Sequence, residues 1–132
     1  EDKEAEEVTA YHFESPGGGV MLGMYNTRES IEHFARSCFE FSLREGLPLY
    51  FSTKNTVMKE YDGFFIEVFQ HVYQHYYQKA FEDKGLWYQH RLVDDMVGRA
   101  LRSTGGFVWA VKNYDGDVLS SLVAQGCGGP GL

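Results

Sequence analysis

Five sets of residues in this 132-residue chain have the types or spacing that chemistry requires. In the stretch KNYDGDVLSS, residues 112–121, Asp115 and Asp117 flank Gly116. Oxygen ligands spaced this way converge on a cation, and the same pattern also makes an ion-free Asx turn. Lys54 lies in STKNT, at the end of an apolar run. It is either a solvated turn lysine or one held in a cleft for proton transfer, and its neighbours do not choose between the two. Asp94 and Asp95 open a helical pattern, where acids cap and complement the dipole unless one turns outward to a metal. His71 and His75 are spaced i, i+4 without the glutamate of a HExxH zinc site, so they read as polar-face residues. His90 has no second ligand at metal spacing and reads as a locally hydrogen-bonded side chain.

Other signals exclude functions. Gly17, Gly18 and Gly19 are followed by neither Lys-Ser/Thr nor a helix, which rules out a phosphate cradle. Gly126, Gly128 and Gly131 satisfy GxGxxG, but no strand precedes them and Pro130 interrupts, so this is not a dinucleotide fingerprint. Cys38 and Cys127 stand far apart with no CxxC, which indicates neither a zinc site nor a disulfide framework. Cys38 falls beside an apolar helix face and reads as a small buried residue. A net charge of -7 opposes a nucleic-acid or anionic-membrane surface. No apolar run is long enough to span a bilayer, and the amino terminus is acidic, unlike a signal or transit peptide. Because the first residue is Glu1, we expect a processed chain or a fragment.

The elements that must position these groups alternate between helix and strand. Residues 1–7 are an acidic lead, and residues 8–13 and 19–25 are strands of a hairpin turned by Pro16 and the glycines. Asn26 or Thr27 caps a helix over residues 30–43, with Ile31, Phe34, Ala35, Phe39 and Leu43 inward and Gly46 closing it. Residues 47–52 form a strand. Residues 57–81 carry a long stripe of Phe65, Val68, Phe69, Val72, Tyr73, Tyr76 and Ala80, which Gly63 could bend. Phe64, Ile66 and Tyr77 widen that stripe beyond one core face, and aromatics make up 16% of the chain, so the excess reads as subunit contact. Residues 86–92 form a strand, 94–101 a helix capped by the two acids, 106–111 a buried strand, and 118–125 a short helix. The length suits one domain. We divide it into a lead and hairpin (1–26), an α/β core (27–126) and a glycine-rich tail (127–132).

Four strings, YHFESPGGGVMLGMYN, PLYFSTKNTVMKEYDG, LWYQHRLVDDMV and GGFVWAVKNYDGDV, resemble the eukaryotic-type NADP-dependent isocitrate dehydrogenases in order and separation. The likeness runs from Tyr11 to Gly126. It implies a mixed α/β, three-layer small domain with a clasp β-hairpin, and a homo-oligomer or a subunit of a larger complex. In that family isocitrate is oxidised by hydride transfer to NADP, and the β-keto acid then loses carbon dioxide while magnesium or manganese steadies the enolate. The resemblance makes Lys54 a cross-subunit acid/base and Thr56 a contact to a substrate carboxylate. It makes Asp117 a metal ligand, Asp94 a ligand contributed across the dimer, and Arg102 a contact near the NADP 2'-phosphate, with Arg99 replacing an amide there. It also implies a mitochondrial home, with the cytoplasm as alternative.

The chain departs from that pattern in three places. Ser121 replaces a metal carboxylate four residues beyond Asp117, and a hydroxyl is the poorer ligand for a hard cation. Phe64 and Ile66 replace basic residues, turning the long helix toward burial or a partner. The tail GCGGPGL departs where the chain would return to a large domain. We therefore expect a non-catalytic structural or interaction subunit derived from an isocitrate dehydrogenase. The alternative is a fragment of an active enzyme, and either way the chain alone is expected to be inert.

Overall fold

The computed structural model describes residues 5–9, 12–14 and 16–112. Within them the chain runs α1 (Arg28–Glu45), β1 (Leu49–Thr53), α2 (Lys59–Val72), a π-helical segment (Tyr73–Tyr77), α3 (Gln78–Asp83), β2 (Tyr88–Leu92), α4 (Val93–Arg102) and β3 (Val108–Val111). The three strands form a parallel sheet in the order β2-β1-β3. Parallel neighbours need crossovers, and here helices supply them. The expected mixed α/β class holds, and the expected helix over 118–125 lies outside the described residues.

The central strand β1 is buried along its whole length, as a strand covered on both faces must be. On one face Phe51 stacks on Phe69 at 4.0 Å, bringing in α2, and α1 packs beside it through Ile31, Ala35 and Phe39. On the other face α4 buries Met96, and its Arg99 reaches Tyr50. Helices, sheet and helix make three layers.

Local chemistry sets the boundaries. The Thr27 hydroxyl accepts the Ser30 N–H at 3.2 Å, starting α1. Gly46, at φ 67°, ends it by donating its N–H to the Leu43 carbonyl. The long helix is not interrupted at Gly63. Its irregularity is the wider turn at Tyr73–Tyr77, which sets both Tyr73 and Tyr77 against Phe39, at 5.5 and 5.2 Å. Phe64 and Ile66 are half-buried and pack against the chain's own core.

One expectation is corrected. Asp94 and Asp95 do not cap α4: Leu92 is the cap residue and makes no side-chain bond, and both acids lie in the first turn, where they complement the dipole. Among the described residues of 8–25 there is no strand, although the turn at Pro16 and Gly17 is present. In the single chain the apolar Val20, Leu22 and Tyr25 are exposed.

Candidate functional site

In a parallel sheet every strand ends on the same edge, and ligands gather there. Three of the four strings singled out in the sequence leave that edge: Lys54 follows β1, Asp94 is the second residue of α4 just after β2, and Lys112 follows β3. Since β1 is central, Lys54 lies between the other two.

Its side chain turns toward β2, where the Lys54 ammonium contacts the Asp94 carboxylate. Lys54 is about one third exposed and Asp94 two thirds, so the pair lines a surface rather than a core. A surface pair of this kind adds about 0–1 kcal/mol. Its interest is therefore chemical: an ammonium held against a carboxylate beside solvent can pass a proton to a bound substrate.

The Lys54 main chain is anchored on the other side. Its N–H donates to Asp62 Oδ2 at 2.9 Å, and its carbonyl accepts the Val57 and Met58 N–H groups at 3.0 and 3.1 Å. The other Asp62 oxygen accepts from the Lys112 ammonium, and both of those side chains are buried. Neither role was read from the sequence. The signal was there: Asp62, Phe65, Phe69 and Val72 follow the inward spacing of α2, so an acid falls in phase with the core stripe. Thr56 is exposed in the same turn as Lys54.

His90 does not bond to a sequence neighbour. Its Nε2 meets the Thr53 hydroxyl across the β1–β2 pair at 2.8 Å. Burial holds its pKa below the usual 6.5, with the nearby Asp62 charge acting in the opposite sense. The His71 and His75 rings lie 4.1 Å apart, and His75 Nδ1 donates to the His71 carbonyl at 3.0 Å, so this pair is occupied with itself. Burial pushes the Cys38 thiol up to about 12, in keeping with an inert cysteine.

Arg99 and Arg102 share a second place, a cleft of about 540 Å³ that also includes Tyr50, Trp87, Ser103 and Phe107. Arg99 Nη1 and Trp87 Nε1 both donate to the Tyr50 hydroxyl, at 2.8 and 3.0 Å, while Arg102 Nε donates to the Gly98 carbonyl at 3.1 Å. The remaining guanidinium N–H groups suit an anion such as a phosphate. The structure thus joins Lys54 with Asp94 and Arg99 with Arg102, but not one pair with the other. The positions of Asp94 and Arg102 on α4 are roughly 12 Å apart along the helix axis.

No group of three or more metal-ligating side chains occurs among the described residues. Asp94 supplies one hard oxygen donor of the kind magnesium or manganese takes, and Asp117 and Ser121 lie outside the described residues. Among the described residues no helix is long and apolar enough to cross a membrane.

The family profile for isocitrate/isopropylmalate dehydrogenase matches residues 3–132. The chain is 56% identical over 128 residues to the mitochondrial NADP isocitrate dehydrogenase of Rattus norvegicus, covering 97% of this chain and 28% of that protein. It is 54% identical over 126 residues to the mitochondrial NADP isocitrate dehydrogenase of Homo sapiens, covering 96% and 27%. It is 59% identical over 115 residues to the cytoplasmic NADP isocitrate dehydrogenase of Dictyostelium discoideum, covering 87% and 28%. The chain therefore spans 27–28% of the length of these relatives.

Proposed function

The chain belongs to the isocitrate/isopropylmalate dehydrogenase family, and from that premise we propose that it supplies one side of the active site of an NADP-dependent isocitrate dehydrogenase, working on a paired subunit. The observation that carries this is the contact between Lys54 and Asp94. The family resemblance sends both residues across the dimer to the same site, and a shared site requires them to lie together on their own chain. The mitochondrion is the proposed compartment, from the names of the rat and human relatives, with the cytoplasm as alternative.

In this reading Lys54 moves the proton, and Asp94 orients the ammonium and offers a carboxylate oxygen to magnesium or manganese. Thr56 contacts a substrate carboxylate. Arg99 and Arg102 hold the 2'-phosphate of NADP, Arg99 being kept in place by Tyr50. When bound, NADP would accept the hydride from isocitrate, and the cation would stabilise the charge that develops as carbon dioxide leaves.

The test is isocitrate-dependent NADPH formation, with magnesium or manganese, by the assembly that contains the remaining lobe. Lys54→Met is expected to lower kcat by about 100-fold or more, the usual contribution of a positioned acid/base. A variant with wild-type turnover would remove Lys54 from the mechanism. A second reading, a non-catalytic structural or interaction subunit, is favoured by Ser121, which stands at a carboxylate position. It forecasts no turnover in the wild type and recovery of activity in Ser121→Asp.

A further inference from the structure

We propose that Asp62 is the positioning residue for Lys54, with Lys112 as its counter-charge. The inference rests on the proton-transfer role proposed for Lys54. Asp62 is fully buried, and an ionised carboxylate there is tolerated only with a charge partner and with its oxygens hydrogen-bonded. Both conditions are met by groups from different strand ends. The Lys54 N–H follows β1, and the Lys112 ammonium follows β3.

The consequence for Lys54 follows from its own bonds. Its carbonyl already closes the turn with Val57 and Met58, so the bond to Asp62 is what ties that turn to α2 and, through Lys112, to β3. A lysine side chain has a flexible four-carbon stem, and its reach is defined only if its Cα is fixed. With the Lys54 N–H held by Asp62, the stem runs toward Asp94. Asp62 touches no substrate in this scheme. It acts through the Lys54 main chain, and misplacement of about 1 Å at a reacting group can cost about 100-fold in rate.

Two double variants separate this role from plain stability. Both remove the buried charge pair: Asp62→Asn with Lys112→Met keeps an oxygen able to accept the Lys54 N–H, whereas Asp62→Leu with Lys112→Met does not. Amide hydrogen exchange on this chain, read by NMR, is expected to show Lys54 protected in the wild type and in the Asn variant. In the Leu variant it should exchange about tenfold faster or more, the value of one hydrogen bond, with Phe51 unchanged. In the assembled enzyme the Leu variant should lose about 100-fold in kcat with little change in the KM for isocitrate, and the Asn variant should recover most of it. Asp62→Ala with Lys112→Met serves in place of the Leu variant if that one does not fold. Equal Lys54 exchange in the two variants, or an unimpaired kcat in the Leu variant, overturns the proposal. A wild-type assembly without turnover instead overturns the proposed function, and amide exchange then decides alone whether Asp62 holds the Lys54 turn.

Discussion

Replacing Tyr50 by Phe removes one oxygen that organises the whole arginine cleft. The ring is almost fully buried, and its hydroxyl accepts from Arg99 at 2.8 Å and from Trp87 at 3.0 Å. A hydrogen bond from a charged donor is worth about 1.5–3 kcal/mol and a neutral one about 0.5–1.5. Their full sum is not expected, because Arg99 and Trp87 are themselves exposed and can turn to water. The guanidinium also keeps its place over the aromatic ring, 5.2 Å from the centroid, which Phe retains. The net loss should be about 1–2 kcal/mol, read as a lower urea midpoint with an unchanged slope. In a Trp109→Phe background, Trp87 fluorescence should shift as the indole N–H passes to solvent. A loss under about 0.5 kcal/mol, within the range of an ordinary surface change, together with unaltered fluorescence would refute the claim that Tyr50 organises the cleft.

Other consequences can be checked on the same chain. The Tyr88 hydroxyl is buried with no partner among the described residues, so Tyr88→Phe should be neutral or stabilising by about 1 kcal/mol; a clear loss in urea denaturation would reveal a partner. Burial depresses the pKa of His90, so the stability linked to it is full above 6.5 and is lost as pH falls through the folded value. The protein should therefore be less stable near about pH 5 than near about pH 7.5, and His90→Gln should flatten that difference; an unchanged pH slope in the variant would discount the linkage. With its thiol pushed up to about 12, Cys38 in a Cys127→Ser background should resist a thiol reagent until denaturant is added, and rapid labelling of the folded chain would contradict its burial.

Much of the fold was legible because it follows local rules. The 3.6 period over α1 and α2, the Thr27 cap and Gly46 needed no distant partner to be recognised. The apolar runs at β1 and β3 were equally clear. What a single sequence conceals is which polar groups meet. Tyr50 and Arg99 are 49 residues apart, and Asp62 and Lys112 are 50 apart. Alternation of residue types over residues 8–25 likewise shows that a segment can pair, but not with which chain.

Asp62 shows how the two kinds of information combine. Periodicity places it on the inward face of α2, where a charge is costly, and that conflict alone marks it as a residue with a partner. Only the parallel sheet supplies the partner, by returning residue 112 to the same edge as residue 54. The resulting link runs from β3 through α2 to β1, and the Lys54 side chain carries it on to α4 beside β2. A change at any one of these positions should therefore be felt at the others, because Lys54 is shared by its backbone on one side and its side chain on the other. That coupling gives the STKNT, DDM and KNYDGD strings a physical reason to occur together in one chain, independent of the roles the family resemblance gives to each.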